Sequence, residues 1–475
     1  MKKTYITTSI AYTNALPHIG FGLELIQADV AARYYRSLGK AVWFLTGTDE
    51  HGEKVAKKAQ EEGKDPGQFC DEIAQKFIDL TRLLNISNDD FIRTTDQERH
   101  WPGVTKMWET LKANGDIYEK NYEGLYCLGC EAFIVPRDLI EEKCPYHGKE
   151  PEPVKEKNYF FKLSKYSDRI EQAIISNQIE IISPSRKKEI LGFIDRGLED
   201  VSFSRPVEKV KWGIPVPGDS TQSVYVWGDA LTNYISAIGY GRNDDYKNIW
   251  PADIQFVGKD IIKFHALIWP AMLMSADLDL PRKIFVHGFL NFDGRKMSKS
   301  LGNIIDPFEL VEKYGVDPVR YYFLRELNPN EDGDFSYDKF EERYNADLAS
   351  GLGNLVSRVV TLARGIYMND SLGMDIGIQK EIDETSKKCL EYLNELKFNL
   401  ALAEIWALLK RADRYIETNR PWEKEREGRE EVIYSLTVLL SSVAKMINPF
   451  MPETSDRVLK FLSNKEKGML FKKID

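Results

Sequence analysis

This sequence of 475 residues contains only five cysteines, no long apolar run and no excess of basic residues. Three of the cysteines lie within residues 127–144, a distribution that fits a reducing compartment better than a disulfide framework. Polar residues interrupt the segment after the N-terminal lysines, so it lacks the apolar stretch of a signal peptide. No apolar run approaches the length of a membrane span. We therefore expect a cytoplasmic protein with no membrane partner.

Acidic residues outnumber basic ones, and the net charge is −9. A general nucleic-acid binder usually carries a strong basic excess, so the composition argues against that role and against a DNA partner. A local basic surface remains compatible with this charge. With 43% hydrophobic residues, a chain of this length is expected to form roughly two to four compact units, each with its own core.

Strand-like and helical patterns alternate along residues 1–115 and again along residues 223–336. This alternation predicts an α/β fold with a doubly wound parallel sheet. Residues 116–222 interrupt the pattern and are expected to form an inserted domain. Residues 337–475 carry long amphipathic stretches, which predict an α-helical bundle.

Two helix starts are marked by an Asp followed by a Pro. Asp65 precedes Pro66 and Asp306 precedes Pro307. Asp is a favoured N-cap, and the fixed φ of Pro suits the first helical position. After Asp306, Glu309 adds the reciprocal carboxylate of a capping box. We therefore expect helices to begin at both prolines.

The inserted segment contains four residues with the spacing of metal ligands. Cys127 and Cys130 form a C-x2-C pair, and thirteen residues later Cys144 and His147 form a C-x2-H pair. Three thiolates and one imidazole suit a closed tetrahedral site, so we expect structural Zn²⁺. The alternative is a set of buried thiols that binds no metal.

Residues 296–300 read Lys-Met-Ser-Lys-Ser, so two ammonium groups lie three positions apart among small hydroxyl residues. Taken alone, such a run is most simply a solvated basic turn. Far upstream, residues 17–22 read Pro-His-Ile-Gly-Phe-Gly, where a strand pattern gives way to a helical pattern. A strand-to-helix junction offers backbone N–H groups and a positive dipole end to an anion. Together the two elements predict a polyphosphate site.

In this order, the two elements resemble the HIGH and KMSKS motifs of class I aminoacyl-tRNA synthetases. The strings between them narrow the resemblance to the methionyl-tRNA synthetase family: Tyr-Thr-Asn at 12–14, Gly-Thr-Asp-Glu-His-Gly at 47–52, the cysteine pairs, Tyr-Val-Trp-Gly-Asp-Ala at 225–230, and Phe-Val-Gly-Lys-Asp at 256–260 with His265. The resemblance covers nearly the whole chain. It implies a Rossmann-like catalytic domain, an inserted connective-peptide domain with a zinc knuckle, and a C-terminal anticodon-binding domain.

The activity implied by the resemblance is that of a methionine-tRNA ligase. Such an enzyme forms methionyl-AMP from L-methionine and ATP, with Mg²⁺, and transfers methionine to the terminal ribose of tRNA(Met). The resemblance places His18, Lys296 and Lys299 in catalysis. The implied ATP contacts are His18, Gly20, Gly258, Asp260, Lys296 and Lys299. The first motif normally ends in a second histidine, whereas this chain has Phe21, whose ring cannot donate a hydrogen bond to phosphate.

The resemblance also implies a methionine pocket, in which aromatic edges suit the thioether. Its residues would be Ser9, Ile10, Tyr12, Asp49, Trp227, Ala230, Leu231, Tyr234, Ile261 and His265. Asp49 would hold the α-ammonium group, and Arg205 would contact the carboxylate or the adenylate. Without the motif order, aromatic residues at helical spacing are more simply ordinary core.

In the C-terminal half, Asn354 and Arg358 lie one helical turn apart, and Trp422 follows the end of another helical pattern. The resemblance implies that these three residues bind the anticodon by stacking and by edge hydrogen bonds. The simpler alternative is a helix cap and a packed Trp. The sequence ends soon after the bundle, and we expect a monomer. Two other functions remain open, namely a class I synthetase for another amino acid and a catalytically silent paralogue that binds RNA or adenylate.

Overall fold

The computed structural model describes residues 3–129, 132–134, 136–145, 148–297, 304–368, 370–465 and 468–474. The strands are β1 Thr4–Thr8, β2 Ala11–Tyr12, β3 Val42–Asp49, β4 Asp90–Arg93, β5 Ile117–Cys127, β6 Ala132–Ile134, β7 Glu152–Phe161, β8 Glu180–Ile182, β9 Val201–Ser202, β10 Ser204–Pro206, β11 Pro215–Val216, β12 Asp219–Val224, β13 Ile254–Gly258, β14 Lys283–His287, β15 Leu290–Phe292, β16 Arg295–Lys296 and β17 Gly333–Phe335.

The helices are α1 Ile19–Ser37, α2 Glu53–Glu61, α3 Pro66–Leu83, α4 Trp101–Ala113, α5 Ser167–Ile175, α6 Pro184–Asp195, α7 Val226–Leu231, α8 Asn233–Ser236, α9 Trp269–Ser275, α10 Pro307–Tyr314, α11 Val316–Glu326, α12 Tyr337–Arg343, α13 Asn354–Leu362, α14 Ile376–Asn394, α15 Phe398–Asn419, α16 Arg429–Ile447 and α17 Pro452–Asn464. Short π-helical segments precede α9 and α13, at Phe264–Ile268 and Tyr344–Gly353. Across the ranges that the structure describes, no helix is long and apolar enough to cross a membrane.

The chain divides into two units. The sheet unit comprises Met1–Pro17, Leu38–Arg82 and Ile86–His287, and the helical unit comprises His18–Ser37, Leu83–Asn85 and Gly288–Asp475.

The sheet unit is built on one parallel sheet in the order β2-β3-β1-β13-β14-β8, with β4 also paired to β3. All of these pairs are parallel, which confirms the α/β prediction. A parallel sheet must bury its strands, and Tyr5, Leu45 and Ile284 pack in one core with α4 residues such as Trp108 and α9 residues such as Trp269. Strands β1 and β13 adjoin although almost 250 residues separate them in the chain, as Ile6 pairs with Ile254.

Within the predicted insertion at residues 116–222, β6-β5-β7-β9 form an antiparallel sheet and β10-β12-β11 form a smaller sheet. Strand β8 of the same range pairs with β14 in the main parallel sheet, so this range is not wholly separate from that sheet. The β5–β7 pairing extends from Ile117 opposite Phe161 to Tyr126 opposite Glu152. The outer half of β7 alternates exposed and less exposed positions, as is usual for a strand with one solvated face.

The helical unit contains α1, the small sheet β16-β15-β17 and helices α10–α17. Its core includes one fully buried cation, Arg320, whose Nη2 donates to Asp29 Oδ2 over 2.6 Å. The same guanidinium donates to the carbonyl oxygens of Phe450, Pro449 and Leu84. A buried charge is tolerated when it is paired and its donors are satisfied, and Arg320 meets both conditions.

Both marked helix starts are confirmed. Asp65 Oδ1 accepts from the backbone N–H of Gly67 over 2.8 Å, and α3 begins at Pro66. Asp306 Oδ1 accepts from the N–H of Phe308 over 2.7 Å, and α10 begins at Pro307. The local sequence therefore determines these helix ends.

Candidate active site

Four strands of the main sheet end together at its carboxyl edge. Because β3, β1, β13 and β14 are parallel neighbours, their ends bring Asp49, Ser9, Gly258 and His287 to one edge. Tyr12 lies opposite Asp49 in the β2–β3 pairing, and Gly258 lies opposite His287. Open parallel sheets bind ligands at this edge. The sheet topology alone thus places four predicted site residues at one edge, namely Ser9, Tyr12, Asp49 and Gly258.

The loop that follows Asp49, at the end of β3, is held by contacts with Arg93 and Trp212. The next residue, Glu50, is fully buried, and its carboxylate accepts from Arg93 Nε and Nη2 over 2.7 and 2.9 Å. Its carbonyl oxygen accepts from Trp212 Nε1 over 2.6 Å, and the Gly52 N–H donates to the Trp212 carbonyl over 2.9 Å. The backbone that follows Asp49 is therefore held in place before any ligand binds.

Trp227 forms one wall of an aromatic cluster. Its ring stacks on Phe264 with centroids 3.6 Å apart and an interplanar angle of 7°, while His265 meets it edge-on at 6.5 Å. Phe264 was not predicted as a site residue. It opens a π-helical turn, a geometry often found at functional sites, and no local sequence pattern marked that turn.

His265 is a neutral, oriented imidazole. Its Nδ1 lies 3.0 Å from the carbonyl oxygen of Ile261 and carries the hydrogen, so its Nε2 accepts from the Tyr234 hydroxyl over 2.7 Å. Burial lowers the pKa of His265 to about 4. Uncharged at neutral pH, the ring contributes an aromatic surface suited to an apolar thioether.

The remaining predicted pocket residues belong to the core of the sheet unit. Leu231 and Tyr234 are buried in that core, and Ile10 and Ile261 are half-buried against it. Ala230 is buried in α7, next to Leu231. The predicted apolar residues therefore lie in or against the same core.

Gly258 and Asp260 form the predicted nucleotide contact of the sheet unit. A Cβ atom at Gly258 would lie 2.7 Å from Asp260 Oδ1 and 3.6 Å from His287 Nε2, so only glycine leaves this approach open. The Asp260 side chain is exposed, as an acceptor for a ribose hydroxyl must be.

His18 lies directly before α1, in the helical unit. Its Nδ1 accepts from the Gly20 backbone N–H over 3.1 Å, which leaves Nε2 as the hydrogen-bearing nitrogen of the neutral ring. A Cβ atom at Gly20 would lie 2.9 Å from this ring. Phe21 is half-buried in the first turn. An exposed N–H donor at a helix N-terminus is suited to phosphate.

Lys296 ends β16, and Lys299 lies outside the described residues.

Arg205 is buried and paired with a carboxylate. Its Nη2 donates to Glu156 Oε1 over 3.0 Å, and its Cζ lies 3.8 Å from the ring centroid of Tyr126. Its Nη1 is buried and makes no hydrogen bond to any residue within the described ranges. Contact between Arg205 and a substrate stays a prediction.

Comparisons with known proteins match this arrangement. The family model described as tRNA synthetases class I (M) matches residues 4–151 and 129–360, and the anticodon-binding domain of tRNA ligase matches 375–473. The methionine-tRNA ligase of Thermotoga maritima is 43% identical over 98% of this chain and 76% of its own length. That of Rickettsia bellii is 41% identical over 98% of this chain and 94% of its own. The chain belongs to the methionyl-tRNA synthetase family.

A solved structure supports the same conclusion. Mycobacterium tuberculosis methionyl-tRNA synthetase in complex with methionyl-adenylate superposes with a TM-score of 0.91 at 37% identity, over 97% of this chain and 94% of that one. The family resemblance stated from the sequence motifs is thereby confirmed.

Two of the four predicted zinc ligands, Cys127 and Cys144, lie in the part of the chain that the structure describes. Cys127 ends β5, and Cys144 begins a turn in which the Gly148 N–H donates to its carbonyl oxygen over 2.8 Å. Both cysteines are buried. Cys130 and His147 lie outside the described residues, and the described part contains no group of three metal-binding side chains.

The predicted anticodon residues lie on two helices of the helical unit. Asn354 and Arg358 occupy successive turns of α13, and Asn354 is exposed. Helix α15 ends at Asn419, and beyond it the Trp422 ring lies 6.0 Å from the Arg358 guanidinium carbon. Trp422 is 44% exposed, so its ring is accessible for stacking. The structure brings Arg358 and Trp422 together, and their contact with an anticodon stays a prediction.

Proposed function

We propose that this chain activates L-methionine with ATP to form methionyl-AMP and pyrophosphate, then transfers methionine to the 3′-terminal adenosine of tRNA(Met). The observation that carries the proposal is the aromatic cluster of Trp227, Tyr234 and neutral His265. An amino-acid side chain that fits an uncharged, polarizable aromatic surface is a thioether rather than a charged group.

Activation requires the carboxylate of methionine to attack the α-phosphorus of ATP, so the protein positions reactants and neutralises phosphate charge. Asp49 accepts from the α-ammonium group, and Arg205 Nη1 is a donor for the carboxylate or adenylate. Asp260 accepts from a ribose hydroxyl, beside Gly258.

The triphosphate requires donors and positive charge. The Nε2–H of His18 and the N-terminal N–H groups of α1 at Gly20 supply hydrogen bonds. Lys296 and Lys299 supply charge to the departing pyrophosphate, and Mg²⁺ bound with ATP would neutralise phosphate oxygens. With Phe21 in place of a second histidine, Lys299 bears a larger share of this stabilisation.

We also propose that Zn²⁺ is held by Cys127, Cys130, Cys144 and His147, in the inserted segment at residues 116–222, of which β8 belongs to the main sheet. The donor set of three thiols and one imidazole suits a closed structural site. Metal analysis of the purified protein should give one Zn²⁺ per chain, and Cys127→Ser should lower that ratio. A wild-type chain without zinc after expression in zinc-supplemented medium would contradict this proposal.

The anticodon of tRNA(Met) is proposed to bind at Asn354, Arg358 and Trp422, in a domain at residues 337–475. Catalytic-domain halves at residues 1–115 and 223–336, a cytoplasmic location and a monomeric state also belong to this proposal. Sedimentation equilibrium of the purified chain tests the monomer.

Methionine-dependent ATP–pyrophosphate exchange tests the proposed reaction. Methionine should support exchange, while leucine, valine and cysteine should not. Lys299→Ala should lower the exchange rate far more than methionine binding, and Lys58→Ala, on an exposed lysine of α2, is the matched control. Phe21 favours a second candidate, the silent paralogue, and absence of exchange with every amino acid would support it.

A further inference from the structure

A buried carboxylate, Asp229, binds two histidines that the proposed mechanism does not use. Asp229 Oδ2 lies 2.7 Å from His51 Nδ1, and Asp229 Oδ1 lies 2.7 Å from His100 Nε2. The three residues are 2% exposed or less. On its far side, His100 Nδ1 lies 2.8 Å from Ser236 Oγ. The result is a continuous polar chain inside the apolar core of the sheet unit.

The carboxylate is ionised and orients both imidazoles. Burial alone would raise the pKa of Asp229, but His51 and His100 lower it below the usual range. An ionised carboxylate only accepts hydrogen bonds, so His51 donates from Nδ1 and His100 donates from Nε2. Each imidazole therefore has one allowed orientation.

Two members of this chain, His51 and Asp229, lie close in sequence to residues of the proposed methionine pocket. His51 is two residues beyond Asp49, in the loop that follows β3. Asp229 is two residues beyond Trp227 in α7, and Ala230 follows it. A helix of six residues is not stable through its own hydrogen bonds, so α7 depends on contacts such as this one.

We propose that Asp229 is a positioning residue for methionine recognition, because it fixes the Asp49 loop to the helix that carries Trp227. Asp49 would hold the ammonium end of methionine and Trp227 the thioether end. The carboxylate, through His51, therefore sets the separation between the two points at which the substrate is held. This inference rests on the proposed methionine pocket.

Asp229→Asn tests the positioning role in ATP–pyrophosphate exchange. The Asn amide accepts at one atom only, so one imidazole N–H faces an N–H group. We expect the KM for methionine to rise about tenfold or more, since a buried charge-assisted hydrogen bond is lost, with the KM for ATP within about twofold. An unchanged KM for methionine in a folded Asp229→Asn would overturn the proposal.

A pair of His51 variants separates positioning from mere stability. The amide of His51→Asn places an N–H near the imidazole Nδ1 position, whereas His51→Leu has no donor. His51→Leu should raise the KM for methionine as Asp229→Asn does, and His51→Asn should restore most of it. Equal KM values for the two His51 variants would overturn the proposal even if Asp229→Asn does not fold.

Asp116→Asn is the matched control. Asp116 is equally buried in the sheet unit and accepts from Lys165 Nζ and Ser275 Oγ over 2.6 and 2.7 Å. It should lower the unfolding temperature without moving the KM for methionine. If it raises that KM as Asp229→Asn does, positioning by Asp229 is not specific and the proposal fails. Trp227→Ala, measured in parallel, separates failure of the positioning role from failure of the proposed pocket. If Trp227→Ala does not raise the KM for methionine, the pocket itself is rejected.

Discussion

The proposed methionine pocket and the proposed anticodon face differ in how their side chains are held. Pocket residues such as Tyr234 and His265 are buried and hydrogen-bonded to one another, within the main core of the sheet unit. On the anticodon face, Asn354 and Trp422 are exposed, and Arg358 is anchored by an exposed ion pair with Glu417 at 2.6 Å. Exposed ion pairs stabilise a fold by only about 0–1 kcal/mol.

This difference is consistent with the two ligands proposed for these surfaces. A small apolar side chain is recognised by a rigid, dry surface, so the recognition residues must also be core residues. Unpaired bases are recognised by accessible stacking platforms and edge donors, which contribute little to folding. Substitutions in the pocket should therefore change stability and binding together, whereas substitutions on the anticodon face should change binding alone.

Trp227→Ala should show the largest effect. It removes the stack on Phe264 and the aromatic wall of the pocket. We expect kcat/KM for methionine to fall about 100-fold and the unfolding free energy to fall by about 2 kcal/mol, less than for a fully buried Trp because Trp227 is only half-buried. Pyrophosphate exchange and urea unfolding measure the two quantities. Trp227→Phe is the control and should retain most of the activity and most of the stability. If Trp227→Ala lost activity without losing stability, binding and stability would not be coupled in the pocket.

Trp422→Ala should have the next largest effect, and it should change only the interaction with tRNA. Base stacking contributes about 1–3 kcal/mol, so the KM for tRNA in aminoacylation should rise about 30-fold. Pyrophosphate exchange and the unfolding temperature should not change. Tyr367→Ala is the matched control, because Tyr367 is an exposed aromatic of the same unit, 81% accessible, with no predicted role. An equal effect of both variants would remove Trp422 from the anticodon site.

Much of this architecture was predictable because local chemistry determined it. The Asp65 and Asp306 caps set helix starts whatever the tertiary context. The apolar run at 284–286 lies in β14 and is buried, as is typical of a strand in a parallel sheet. Trp227 and His265 were predicted as site residues only from the order of the motifs. Periodicity alone does not distinguish them from ordinary core residues.

Other features depended on long-range contacts and left no local signal. Phe264 stacks on Trp227 because a π-helical turn rotates it there, and nothing in its neighbours marks that turn. The Asp229 network joins residues more than 120 positions apart in the chain. Contacts at such separations depend on the order of the strands, which sequence patterns do not encode.

The pocket residue His265 should make the free energy of unfolding depend on pH. Its folded pKa of about 4 lies below the ordinary value, so between these values the unfolded chain binds a proton that the folded chain does not. Stability is therefore lost as pH falls from about 6.5 towards 4, by about 2 kcal/mol at pH 5. Urea unfolding at pH 7 and pH 5 measures this loss. His265→Gln should lose less stability between the two pH values, and equal losses would show that His265 is not the titrating group.

Gly20→Ala should have the smallest effect. Like a substitution on the anticodon face, it should change function without changing stability. The new methyl group would lie 2.9 Å from the His18 ring, and the exposed ring can swing away at little cost in stability. Because its proposed phosphate donor moves, the exchange rate should fall about tenfold while the unfolding temperature stays the same. Gly192→Ala is the matched control, since a Cβ there meets no atom within 4 Å in helix α6. If Gly20→Ala instead lowered stability without slowing exchange, His18 would be a structural cap and not a phosphate ligand.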